Sequence, residues 1–342
     1  MHKLNGIQWL RGFAAIMVVI FHAASRWGYG FEIGEAGVDV FFVMSGFIMW
    51  SVGASQTSPV DFLRDRIVRV APAYWVATGL MALGGVAGLF PHVAISAARI
   101  AKSLFFVPYV GDGGHMWPML VQGWTLNYEM MFYALFALLI ALPVRFRLWS
   151  LVGSLALLAA AGLVGPRDAV LVFYTDPIVL EFALGALIGH YAMHHEFHRG
   201  IVGAMLLLGI AFFVIDGLGM VQAVRIVRLG MPAALTVAGV IGLEKSGLRF
   251  NARPLVFLGD ASYSVYLFHT FAISITYRFL RGVPGLAGPV LATACGVGAG
   301  SLVYLLLEKP LTRALRRRKP QVAESAVPHH RTSEPELAGT TA

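Results

Sequence analysis

Apolar residues run along this chain in long blocks separated by short polar gaps. A bilayer core asks for roughly 20 apolar residues per helix. The blocks therefore predict ten spans, near 7–25, 36–53, 72–90, 124–142, 148–165, 177–194, 201–215, 229–243, 261–280 and 286–307. The fold class that follows is all-α, a polytopic membrane helix bundle. The longest gap, 91–123, contains the apolar piece "AARIAKSLFFVPY", which reads as an interfacial or re-entrant segment. No internal repeat is visible, so two similar halves of a transporter are not indicated. Residues 1–311 form the expected transmembrane domain. Residues 312–342, with "RRRKP" from position 316, read as a basic, disordered cytoplasmic tail.

Composition agrees with the pattern. Hydrophobic residues make up 58% and charged residues 13%, against about a quarter charged in soluble domains. The net charge of +8 lies mostly in the gaps, which excludes nucleic acid as the natural partner and points to membrane lipid. The first block is longer than a signal-peptide core and contains Arg11, so it reads as a retained helix. The single cysteine, Cys295, excludes an intramolecular disulfide. With the N-terminus inside, ten spans leave ten basic residues from Lys3 to Arg253 and seven from Lys309 onward on the inner side, against eight outside. That asymmetry predicts both termini in the cytoplasm. The sequence carries no signal of oligomeric state.

Ionisable residues inside the blocks are the next signal. Arg11 and His22 are eleven residues apart, so they share a helix face about 16 Å apart along the axis. Each alone also reads as an interfacial residue, with Arg11 snorkelling to phosphate. Asp39 enters the second span about one turn from its outer end, at the depth of His22. A carboxylate there would fix the imidazole tautomer, or simply complement a helix N-terminus. Glu129 in "GWTLNYEMMFY" and Glu181 in "DPIVLEFALG" enter the same outer half. Ionisable groups gathered at one membrane depth predict a functional site.

Arg64, Arg66 and Arg69 precede the third span as an inner loop suited to phosphate, although the positive-inside rule alone accounts for such residues. Ser45 reads as a nucleophile or, beside Gly46, as a close-packing residue. His269 lies mid-span, as a core histidine or in a substrate channel. Trp117, Trp124 and Tyr128 fit an aromatic belt or a sugar-stacking platform. His194, His195 and His198 have mixed spacing at a helix end, and no metal is expected there.

Six stretches, in order, resemble the integral-membrane acyltransferase 3 family of exopolysaccharide and O-antigen O-acetylases. They are "IQWLRG" with "FH" at R-x10-H spacing, "GVDVFFVMSGFIM", "FLRDRIVRVAPAYW", "WTLNYEMMFY", "SYSVYLFH" and "EKP". The resemblance covers about residues 4–311, and the opening motif is most similar to members acting on exopolysaccharide. It implies transfer of an acyl group, usually acetyl, from cytoplasmic acyl-CoA to a hydroxyl of a surface or lipid-linked polysaccharide, in a bacterial inner membrane. His22 and Arg11 match the family's characteristic pair. Asp39, Ser45, Arg66, Arg69, Trp124 and Glu129 fall on motif positions. Asp65 departs from the family, which often has arginine there.

A sugar hydroxyl attacks well only when a base takes its proton, and histidine suits that role. The expected catalytic set is His22 as base with Arg11, Asp39 and Glu129. Arg66, Arg69, Ser45, Trp124 and His269 are the expected substrate-binding set. A covalent acyl-histidine is a second route for the same residues. A different class also fits the buried charges: a transporter or flippase using them as a proton relay.

Overall fold

The computed structural model describes residues 4–90, 94–111 and 113–316. Lys3 and residues 317–342 of the expected tail lie outside the described residues, while residues 312–316, expected as disordered tail, are helical. The bundle is helical, with no strand among the described residues.

The helices, in order, begin with α1 (Asn5–Arg26), α2 (Ala36–Gly53), α3 (Pro59–Val86), α4 (Ala97–Leu104), α5 (Gly123–Ile140), α6 (Val144–Gly162) and α7 (Ala169–Tyr174). They continue with α8 (Leu180–His194), α9 (Arg199–Gly217), α10 (Met231–Lys245), α11 (Arg253–Leu280), α12 (Ala287–Val303) and α13 (Lys309–Arg316). All but α4, α7 and α13 coincide with the ten expected spans. Seven of the bundle's helical stretches are long and apolar enough to cross a membrane, and α5, α8 and α11 are among the remaining long helices.

Two spans begin earlier than hydropathy suggests. The stretch "FLRDRIVRV" is the start of α3, not a loop. Ser58 caps it by accepting from the Asp61 N–H at 3.2 Å, and Pro59 occupies the first turn. The 28-residue helix is about 42 Å long, beyond a bilayer core of about 30 Å. Its charged turns therefore extend past the apolar layer while remaining helical. α11 is likewise 28 residues and starts at Arg253. The segment after α3 forms the short amphipathic α4, tied to α3 by the Trp75 indole N–H donating to the Leu104 carbonyl at 2.9 Å.

Polar residues from neighbouring helices complete the helix ends. Leu4 gives α1 no side-chain cap, but the Glu244 carboxylate of α10 accepts from the Asn5 and Gly6 N–H groups, each at 2.8 Å. Arg147, read from sequence as an ordinary inner cation, is buried on α6. It donates to the carbonyls of Ala54, Gln56, Ile140 and Leu142 at 2.7–2.9 Å, gathering the ends of α2 and α5.

Close packing joins α2 to α8 and α1 to α11. A Cβ at Gly46 would run into the Phe182 carbonyl, and one at Gly185 into the Val43 carbonyl. Small residues permit this backbone approach in lipid. Thus α2 is held rigidly between α8 and the cavity described next.

Candidate active site

Helices α1, α2, α3, α5 and α11 enclose a cavity of about 270 Å³. Its lining on α2 runs from Val38 to Met49, a depth of about 16 Å at 1.5 Å per residue. Arg11, Arg66 and Arg69 line the cavity together with Glu129, Ser45 and Tyr133. Elsewhere its walls are largely apolar and aromatic, with Phe41, Phe42, Tyr263 and Tyr266.

The arginines are placed by the helix starts. Arg11 lies on the second turn of α1, where its Nε donates to Ser262 Oγ on α11 at 3.1 Å. Arg66 and Arg69 are one turn apart on α3, and the Arg66 guanidinium lies 5.8 Å from the centre of the Phe62 ring. Arg64 is exposed and does not line the cavity. Across the space, Tyr133 donates to Glu129 Oε1, and Ser45 Oγ reaches the same oxygen at 3.5 Å.

The expected single cluster is divided into three. Glu129 lies in the arginine cavity, not beside His22. Tyr133, one turn further along α5, draws its carboxylate that way. Asp39 is fully buried and accepts a bidentate pair from Arg225 Nε and Nη2 at 3.1 and 2.8 Å. Arg225 also reaches Glu35 at 3.3 Å. A permanently charged planar fork suits a carboxylate better than imidazole does, and both Asp39 oxygens bond Arg225, with no hydrogen bond to His22 among the described residues. Glu181 is buried against Asp39 and Arg225.

His22 lies on α1 beyond the far end of the cavity, with its ring centre 5.1 Å from that of His269. His269 is 6.2 Å from Tyr266, which does line the cavity. Trp124 packs edge-on against Phe42 and Tyr128 outside the lining, and Tyr128 donates to the Phe173 carbonyl at 2.7 Å. Trp117 stacks on His115 at 4.2 Å. At the opposite helix end, His194 Nδ1 bonds the His190 carbonyl at 2.7 Å and His195 stacks on Tyr191. Among the described residues, no three of His, Cys, Asp or Glu gather to hold a metal.

Sequence reasoning missed Tyr133, Ser262 and Arg225. Tyr133 was legible as the i+4 partner of Glu129. The other two meet their partners across more than 180 residues, and local spacing carries no such signal.

The acyltransferase-domain family matches residues 4–308, nearly the whole described chain. The chain belongs to this acyltransferase family. Among curated relatives, it is 43% identical over 312 residues to the exopolysaccharide production protein ExoZ of Rhizobium meliloti (strain 1021), covering 88% of this chain and 96% of the relative. It is 24% identical to the acyltransferase MdmB of Streptomyces mycarofaciens, across 93% of each chain. It is 25% identical to the O-acetyltransferase OatA of Staphylococcus aureus (strain NCTC 8325 / PS 47), across 78% of this chain and 50% of that protein. No solved structure gives a significant match. As an acyltransferase with membrane-spanning helices, the protein places its arginine cavity and its histidine pair at adjoining levels of one bundle.

Proposed function

We propose that this membrane acyltransferase moves an acetyl group from acetyl-CoA to a hydroxyl of an exopolysaccharide or its lipid-linked precursor, with His22 as general base. The observation that carries this reading is the cavity lined by arginines from α1 and α3, deep enough for a thin acyl-pantetheine arm and ending next to the histidine layer. Arg66 and Arg69 are proposed to hold the donor's phosphates, because guanidinium groups bind phosphate in a planar fork. Arg11, fixed by Ser262, is proposed to line the arm's path. Ser45 and Glu129 form a polar patch beside that path, where they would bind the amides of the arm.

The acceptor hydroxyl, on this reading, approaches His22 from the opposite side of the histidine layer. His22 takes its proton as the oxygen attacks the thioester carbon. The C–O bond forms, the C–S bond breaks, and the departing thiolate receives the proton. A base of this kind contributes about 10²–10⁴ in rate. Similarity to ExoZ supports a polysaccharide acceptor. The excess of basic residues beside the N-terminal end of the bundle supports cytoplasmic termini in a bacterial inner membrane. Trp124, half-buried against Phe42 and Tyr128, is proposed to shape the outer wall of the bundle and not to contact the donor.

The test is transfer of radiolabel from acetyl-CoA to polysaccharide fractions by purified protein in lipid. Wild type should label glycan and His22→Ala should lose at least about 100-fold in rate. Equal labelling by both proteins would remove His22 from the mechanism. Proton flux without label transfer would instead support the relay class.

A further inference from the structure

We propose that His269 is the positioning residue for His22, taking the place that a carboxylate holds in other histidine-based sites. This rests on the reading of His22 as base. His269 is fully buried on α11. Its Nδ1 lies 3.0 Å from the Val265 carbonyl oxygen. A carbonyl only accepts, so Nδ1 carries the proton and Nε2 presents a lone pair. That Nε2 is shut off from solvent and has no hydrogen-bond partner. A buried acceptor left unpaired calls for an explanation.

Its ring neighbours among the described residues are Tyr266 and His22. The Tyr266 hydroxyl is engaged by Thr125 Oγ1 at 2.9 Å and the Gln122 carbonyl at 3.4 Å. On α12, Gly296 presents no side chain, and a Cβ there would lie 3.3 Å from His269 Cβ. The remaining neighbour is His22, at 5.1 Å between ring centres and a 34° tilt. An imidazole nitrogen stands about 1.2 Å from its ring centre. This separation leaves room for an N–H···N bond when the two nitrogens lie along the line of centres, which His22 approaches by turning about its Cβ–Cγ bond. Among the described residues His22 makes no hydrogen bond, and its ring packs edge-on against Phe21 at 5.0 Å.

The chemistry follows from the proton count. Once His22 has taken the acceptor's proton, both of its nitrogens bear hydrogen. One faces the substrate oxygen and later returns the proton to the thiolate. The other needs an acceptor inside the bundle, and His269 Nε2 supplies it. His269 gains and loses no proton. It fixes which His22 nitrogen carries hydrogen before attack and supports the imidazolium during attack.

Three variants test this in lipid-reconstituted full-length protein: His22→Ala, His269→Leu and His269→Gln. Gln returns an acceptor oxygen close to the position of Nε2, whereas Leu fills the volume without one. We expect His269→Leu to lower kcat about 10- to 100-fold with both KM values within about twofold, and His269→Gln to recover most of the loss. Full kcat in His269→Leu with an inert His22→Ala would overturn the partnership and leave the base in place. Full rate in His22→Ala would overturn both. Equal losses in Leu and Gln variants, tracking their melting temperatures, would reduce His269 to a packing residue. If His269→Leu does not fold, His269→Asn serves in its place, being too short to present an acceptor there. A Gln variant about tenfold faster than Asn supports the proposal, and equal rates overturn it.

Discussion

Two sets of buried charge sit in the same bundle and have opposite surroundings. Around Asp39, every strong donor is spoken for: Arg225 closes on it with two N–H groups and reaches Glu35 with a third. Around Glu129, Arg11, Arg66, Arg69 and Ser45 line a cavity. The first arrangement neutralises charge where helices pack, between α2 and the π-helical turn Ile226–Gly230 before α10. The second keeps charge facing a void that a ligand can fill. A buried ionisable residue therefore signals chemistry chiefly when its partners leave room.

The largest effect should come from breaking the packed set. Arg225→Ala strands the Asp39 carboxylate in a dry interior, and removing one partner of such a pair costs about 3–5 kcal/mol. Thermal melting in detergent should fall steeply, with a parallel loss of folded protein in the membrane. An unchanged melting curve would erase the distinction between the two sets. Arg69→Gln, on the cavity side, should leave melting in place and raise KM for acetyl-CoA about tenfold, equivalent to 1.4 kcal/mol. A destabilised Arg69→Gln with normal KM would make the cavity arginine structural instead. The smallest change belongs to Glu181→Gln. It exchanges a carboxyl buried against Asp39 and Arg225 for an amide of the same shape, and stability should change by about 1 kcal/mol or less. A large loss would show that Glu181 balances Arg225.

These contrasts also mark where sequence reading succeeds. All ten long helices are legible from apolar block length, because lipid imposes one dimension on each. The early start of α3 is not, because a helix with arginines on its first turns looks like a loop to hydropathy. It is the cap at Ser58 and the proline after it that betray the helix. The R-x10-H spacing correctly places Arg11 and His22 on α1 far apart. Depth alone, however, does not choose partners. Asp39 and His22 were matched by level, but Arg225, more than 180 residues away, outcompetes a histidine by charge and geometry. His269 was visible as a buried histidine. Its nearness to His22 depends on α1 packing against α11, where Gly259 lets the backbone of Gln8 approach.

One more feature bears on how this chain tolerates change. The turn Tyr304–Glu308 is π-helical, carrying one residue more than an α-helical turn, and it delivers Glu308 to Ser264 Oγ at 2.6 Å. Leu306, in the middle of the turn, is 70% exposed on the outer surface, so exchanging it for another apolar residue touches little. Deleting it would return the segment to α-helix with Glu308 still directed at Ser264, because four α-helical residues at about 100° each cover nearly the arc that five cover in the π turn. Single-residue deletions should therefore be tolerated at this spot and not in the preceding turns of α12, where each would rotate Glu308 by about 100°: the turn is permissive in spelling and in count.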